Sequence, residues 1–164
     1  MIKRGMTRRE RQITDISEIT KILDKAKVVH VGLVDEGRPY VVPMNYGYTL
    51  ENGKLTLYLH GATEGRKLDI IRKNPEVCAE IDCDIVPIEG DIACRYGISY
   101  SSIMAEGCAH ILDNIDEKRE GLKILMKTQT GKDFDFTEKM VNVVSVIRID
   151  VSSFTAKHRP APEK

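Results

Sequence analysis

The chain has no net charge: 25 lysines and arginines balance 25 aspartates and glutamates. With no overall field to gather a polyanion, nucleic acid and anionic membrane surfaces are not expected partners, and any phosphate recognition must be local. The chain also lacks an apolar run of the roughly 18 residues a membrane helix needs. Its N-terminus, MIKRGMTRRERQI, is basic but no apolar segment follows as in a secretory leader, so a cytoplasmic protein is expected. The four cysteines, Cys78, Cys83, Cys94 and Cys108, include no CxxC pair and no zinc-type spacing. Reduced, mostly structural thiols are expected, and no metal site. Cys108 and His110 share a strand face, but no second ligand pair accompanies them. There is no GxGxxG and no doubly wound order of elements, which excludes a Rossmann domain. No repeat or low-complexity tract divides the 164 residues, a length that suits one domain with its own core.

What is present centres on Leu55 to Asn74, LTLYLHGATEGRKLDIIRKN. Leu55, Leu57 and Leu59 alternate with Thr56, Tyr58 and His60, the period of a half-buried strand. After Gly61 the period becomes helical: Thr63 is placed to cap, Arg66 and Lys67 enter the first turn, and Leu68, Ile70 and Ile71 supply an apolar stripe that Asn74-Pro75 ends. Such a handover can seat an anion, because free N–H groups and two cations converge at the helix start. It can equally be a surface helix with a solvated Arg-Lys pair.

The flanking chain reads as a β scaffold. Residues 1–13 are a charged, aperiodic arm, 14–157 the domain, and 158–164 a tail. Asp15 and Glu18 start a helix over about 16–25. VVHVGLVD and PYVVPMNYGYTL, joined at Asp35 to Arg38, form a hairpin, and Glu51-Asn52-Gly53 leads into the Leu55 strand. Pro43 cannot donate to a ladder, so pairing opens or bulges there. A strand over EVCAEIDCDIV, a loop over 86–97, a long strand from Ser99 to Leu112, a helix capped by Asn114 and stopped at Gly131, and a last strand from Val141 to Val151 complete the chain. Six mostly antiparallel strands argue a mainly β (α+β) fold, a small barrel with a β-sandwich as its competitor.

Four segments in order, Gly37-Arg38-Pro39, Val41 to Tyr48, LYLHGATEGRKLDIIRKNPEVCAEI and YSSIMAEGCAHIL, resemble the FMN-binding split-barrel superfamily that includes pyridoxamine-phosphate oxidase. The nitroimidazole-resistance (Nim-like) branch is the most similar. The resemblance implies a six-stranded antiparallel split β-barrel with flanking helices and a homodimer with two FMN sites at its interface. It implies that Val42, Pro43, Met44, Asn45 and Tyr46 run beside the flavin ring and that His60, Gly61 and Ala62 continue along it. It further implies that Arg66 and Lys67 hold the phosphate and that Ser101 and Ser102 approach the cofactor within the chain or across the dimer. His60 is the candidate proton-handling residue, its other reading being a turn histidine bonded to a carbonyl or phosphate. The implied activity is FMN-dependent reduction of a small electron-poor molecule of nitroaromatic or quinone type. The alternatives are a non-catalytic flavin-binding or redox-sensing module, or a deazaflavin or haem in place of FMN. With no tryptophan, six tyrosines and three phenylalanines, the chain has little to stack on a ring, so backbone and phosphate contacts would carry the binding. The chain lacks the Arg-rich ending of authentic pyridoxamine-phosphate oxidases, which argues against vitamin B6 oxidation.

Overall fold

A computed structural model describes residues 7–161. Parts of the expected arm (1–6) and tail (162–164) lie outside the described residues. A single 3-10 turn at Arg9–Arg11 leads into the short strand β1 (Gln12–Ile13), followed by α1 (Ile16–Lys25), β2 (Val28–Asp35), β3 (Arg38–Glu51) and β4 (Lys54–Gly61). Then come α2 (Arg66–Lys73), β5 (Glu76–Ile88), β6 (Gly97–Ile111), α3 (Ile115–Thr130), α4 (Glu138–Asn142) and β7 (Ser145–Arg159). All pairings are antiparallel, in the order β1-β7-β4-β3-β2-β5-β6, with a further pairing of β6 to β7.

The expected mainly β, six-stranded split barrel is therefore corrected. The fold is mixed α/β, its sheet has seven strands, and the sheet is not a closed barrel. The seventh strand arises where the basic arm ends: Ile13 turns toward the core, and its residue pairs with Ala156. The opening lies on either side of β4. Beyond the Tyr46–Leu59 pair β3 runs on past the Gly61 end of β4 with only β2 beside it, and β7 leaves β4 after Asp150.

One face of every long strand is apolar, and these faces make the core. Leu55, Leu57 and Leu59 of β4 meet Ile81 of β5, Ile103 of β6 and Ile147 and Ile149 of β7, all at most 1 % exposed. Helix α1 closes this core with Ile19, Ile22 and Leu23, its start fixed by the Asp15 carboxylate accepting from the Glu18 N–H. The outer face is covered over only part of the sheet. Helix α3, capped by Asn114 and ended by Gly131 at φ 72°, lies against β3 and β4. There Gly47 is obligatory, since a Cβ would stand 2.4 Å from the Leu125 Cα. Gln129 Nε2 donates to the Tyr46 carbonyl at 2.7 Å and ties the helix to the strand. Leu112, Leu122, Val141 and Val146 form a second small core beneath α3 and α4. Among the described residues no helix is long and apolar enough to cross a membrane.

Candidate functional site

The gap between β3 and β4 is built by the sequence features that disturb strand pairing. From Arg38 to Asn45, β3 is paired along one edge only, to β2, so the main chain of Val42 to Asn45 presents its other edge to the turn leaving β4. A proline at 43 is tolerable in a strand with one unpaired edge. Gly61 ends β4, and α2 starts five residues later. Thr63 does not cap it: the N-cap is Gly65 at φ 136°, ψ 162°, with no side-chain cap, and its carbonyl accepts from the N–H groups of Leu68 and Asp69. The first-turn N–H groups of Arg66 and Lys67 therefore have no helical carbonyl to reach.

Three of the expected residues come together at this gap. A Cβ on Gly61 would lie 3.1 Å from Lys67 Cε and Nζ and 3.9 Å from Met44 Cε, so the absent side chain lets the lysine lie across the strand end beside the methionine. Val42 is half-buried on the same side of β3. Arg66 is held differently. Its Nε and Nη2 both reach Asp35 Oδ2 at 3.1 Å, and the guanidinium stacks 4.6 Å from the centre of the Tyr40 ring. This clamp aligns a side chain that remains 56 % exposed.

His60 points to the opposite face from Leu59. Continuing the β3–β4 register places it across from Asn45, and on its other side its strand partner is Val146. Its Nδ1 is buried and, among the described residues, has no hydrogen-bond partner. An orphaned nitrogen of this kind costs about 1–3 kcal/mol, so it calls for a partner. Asn45 and Pro43 are exposed, and Ala62 is exposed in the turn. Tyr46 is fully buried, its hydroxyl donating to the Leu23 carbonyl at 2.8 Å and its own carbonyl taken by Gln129, so it marks the end of the gap.

Ser101 and Ser102 are elsewhere in the chain. Asn45 is paired to Val28, and Ser102 to Asp82 on β5, which places Ser102 three strands from Asn45, about 14 Å at the usual strand spacing. Ser101 is buried, with Oγ 2.9 Å from His158 Nδ1, and lines a separate cavity of about 510 Å³ with Ile13, Glu18, Lys25 and Asp84. The cysteines stay apart from the gap. Burial, with Asp84 alongside, pushes the Cys83 thiol up to about 11, which leaves it protonated and unreactive. Sequence reasoning missed Asp35 and Tyr40 as partners of Arg66, reading the first only as a turn residue.

The donor set suits a flat, phosphorylated cofactor. A main-chain edge faces the gap, two cations and free N–H groups stand at one end, and the unpartnered imidazole nitrogen lies on the other face of β4.

The pyridoxamine 5'-phosphate oxidase family pattern matches residues 15–158. The chain is 35 % identical to a candidate 5-nitroimidazole antibiotic resistance protein from Bacteroides thetaiotaomicron, covering 89 % of this chain and 85 % of that one, with a TM-score of 0.75. In fold it is similar to a flavocytochrome from Azotobacter vinelandii (20 % identity, 96 % and 73 % covered, TM-score 0.77). It is likewise similar to an FAD- and heme-binding protein from Mycobacterium smegmatis (19 % identity, 94 % and 76 % covered, TM-score 0.77). A comparison with curated proteins found no match.

Proposed function

Since the chain belongs to the pyridoxamine 5'-phosphate oxidase family, we propose that it is a flavin-dependent oxidoreductase that binds FMN in the gap between β3 and β4. The observation that carries this reading is the unpaired edge of Val42 to Asn45 facing the Gly61–Lys67 turn. Lys67 and the α2 N–H groups hold the phosphate, with Arg66 aligned by Asp35 and Tyr40 as the second cation. The main chain of Val42 to Tyr46 and of His60 to Ala62 borders the ring. The bound flavin supplies the redox chemistry, passing electrons from a reduced donor to a small electron-poor molecule of nitroaromatic or quinone type. His60, with its unpartnered Nδ1, is the side chain that delivers a proton. Kinship with a candidate nitroimidazole-resistance protein supports the substrate class.

Titrating the purified protein with FMN and with FAD, following flavin fluorescence, tests the cofactor. FMN is expected to bind with micromolar affinity or better. Replacing Arg66 and Lys67 together by Ala is expected to weaken it by at least about 2 kcal/mol, because a charge-assisted hydrogen bond contributes roughly 1.5–3 kcal/mol. A protein that ignores flavin, or a double variant that binds unchanged, sinks the assignment. Stopped-flow reoxidation by nitroaromatics, quinones and oxygen then separates enzyme from module. Reoxidation no faster than that of free reduced FMN, or a His60→Gln variant with an unaltered pH–rate profile, removes the catalytic part.

A further inference from the structure

The outer face of β2 and β5 is left open by α3 and carries a group of side chains for which the flavin has no use. His30 is the direct strand partner of Glu80, and Asp82 follows two residues on, so all three project from the same face. Each offers one ligand atom, and these atoms all lie within 4.8 Å of one another; no other such group of three occurs among the described residues. His30 Nδ1 is 3.2 Å from Glu80 Oε2, with the two side chains 43 % and 32 % exposed.

We propose that His30, Glu80 and Asp82 bind a divalent transition-metal ion. The His30–Glu80 separation already has the right size, because a tetrahedron with metal–ligand bonds of about 2.0–2.1 Å has edges of about 3.3–3.4 Å. Asp82 closes the third corner by side-chain rotation on the same strand. One imidazole and two carboxylates match zinc and its neighbours, and three protein ligands leave a coordination position open. A plain ion pair would need only His30 and Glu80. The second carboxylate on the same face is repulsive without a cation, and the other positions of that face on β2 and on β5 before its irregularity supply none: they are Val28, Gly32, Val34, Glu76 and Cys78, while Lys25 is taken by Asp84. Glu106, paired to Cys78, adds further negative charge, and the nearest cation in register is Lys157 of β7, beyond Ser102. Two rigid adjacent strands hold the ligands in register before any ion arrives, which lowers the ordering cost of binding.

The site does not rest on the flavin reading and is tested apart from it. Tag-free, chelator-treated protein titrated with Zn²⁺ in a calorimeter is expected to take up about one ion per chain with micromolar affinity. Zn²⁺ is also expected to raise the melting temperature. His30→Gln and Glu80→Gln should each weaken uptake at least about tenfold, since loss of even an outer-shell partner of a metal costs about 10- to 100-fold. Cys78→Ser should leave uptake unchanged. In case a variant fails to fold, the Co²⁺ adduct of the unaltered protein gives a second readout: absorption of an imidazole–carboxylate site without thiolate charge-transfer bands. No uptake at about millimolar Zn²⁺, uptake unchanged in both Gln variants, or a thiolate signature would each overturn the proposal.

Discussion

Two glycines separate the site from the scaffold at the level of single atoms. At Gly47 the neighbour a Cβ would strike is backbone, the Leu125 Cα and N at 2.4 and 2.5 Å, and neither can move without shifting α3. At Gly61 the neighbour is the end of a lysine, 3.1 Å away and free to swing aside. Gly47→Ala is thus expected to cost about 3 kcal/mol of stability, read as a large fall in melting temperature. Gly61→Ala should change stability by less than about 1 kcal/mol, because only a flexible side chain must give way. Its effect belongs on the ligand: displacing Lys67 should weaken FMN uptake by up to about 2 kcal/mol. Equal melting losses in the two variants would show that Gly61 is structural. Nothing in the sequence distinguishes these glycines, because both follow alternating strand residues and what differs is the helix or lysine that comes across from elsewhere in the chain.

At the scale of elements, α2 depends on its start. Gly65 at φ 136° is in a region where an L side chain is strained by about 1–3 kcal/mol, and no side-chain cap helps to hold the turn. Gly65→Ala should therefore lower both the melting temperature and FMN affinity, whereas Thr63→Ala, away from the actual cap, should lower neither by more than about 0.5 kcal/mol. Loss of affinity in Thr63→Ala with Gly65→Ala unaffected would show that the first turn is built otherwise. The same contrast shows what was legible. Periodicity located α1, the β2–β3–β4 succession, α2 and the start of α3, because each has its own apolar stripe and cap. It failed where partners decide. Val141 and Asn142 read as the beginning of the last strand, yet they end a short helix that Thr137 caps. Pro87 read as loop, yet β5 runs on to Ile88 after an irregularity between Cys83 and Val86, where Asp84 takes φ 58°. The charged Lys157–Arg159 read as following the last strand, yet β7 continues to Arg159 because β6 flanks it on one side and the short β1 pairs with it at Lys157. In the site, the turn after Gly61 and the opening at Pro43 were visible. The Asp35–Arg66–Tyr40 clamp and the His30–Glu80–Asp82 group were not, since their members are joined by register and not by spacing.

At the scale of the whole molecule, the expected cofactor residues do not fit around one flavin in a single chain. Val42 to Asn45, Gly61 and Lys67 surround the gap, while Ser102 lies three strands away on the open face. That face also exposes Val28, Val34, Val41 at 60 % and Met104, an apolar set carried by three strands that α3 leaves uncovered. A second copy pairing through this face would bury the apolar set and could bring Ser102 of one chain toward the gap of the other, which accounts for both observations with one twofold axis. The expected assembly in solution is therefore a homodimer, and light scattering on the eluting protein measures its mass. Complementation tests the shared site. An Arg66→Ala, Lys67→Ala chain and a Ser102→Trp chain should each bind FMN poorly. After the two are unfolded together and refolded, roughly a quarter of sites would draw both halves from intact segments if pairing is random. Recovery of about that fraction of binding requires the two segments to come from different chains. If Ser102→Trp binds as well as the parent, the serine strand has no part in the site; if it binds poorly and mixing restores nothing, each site is contained in one chain.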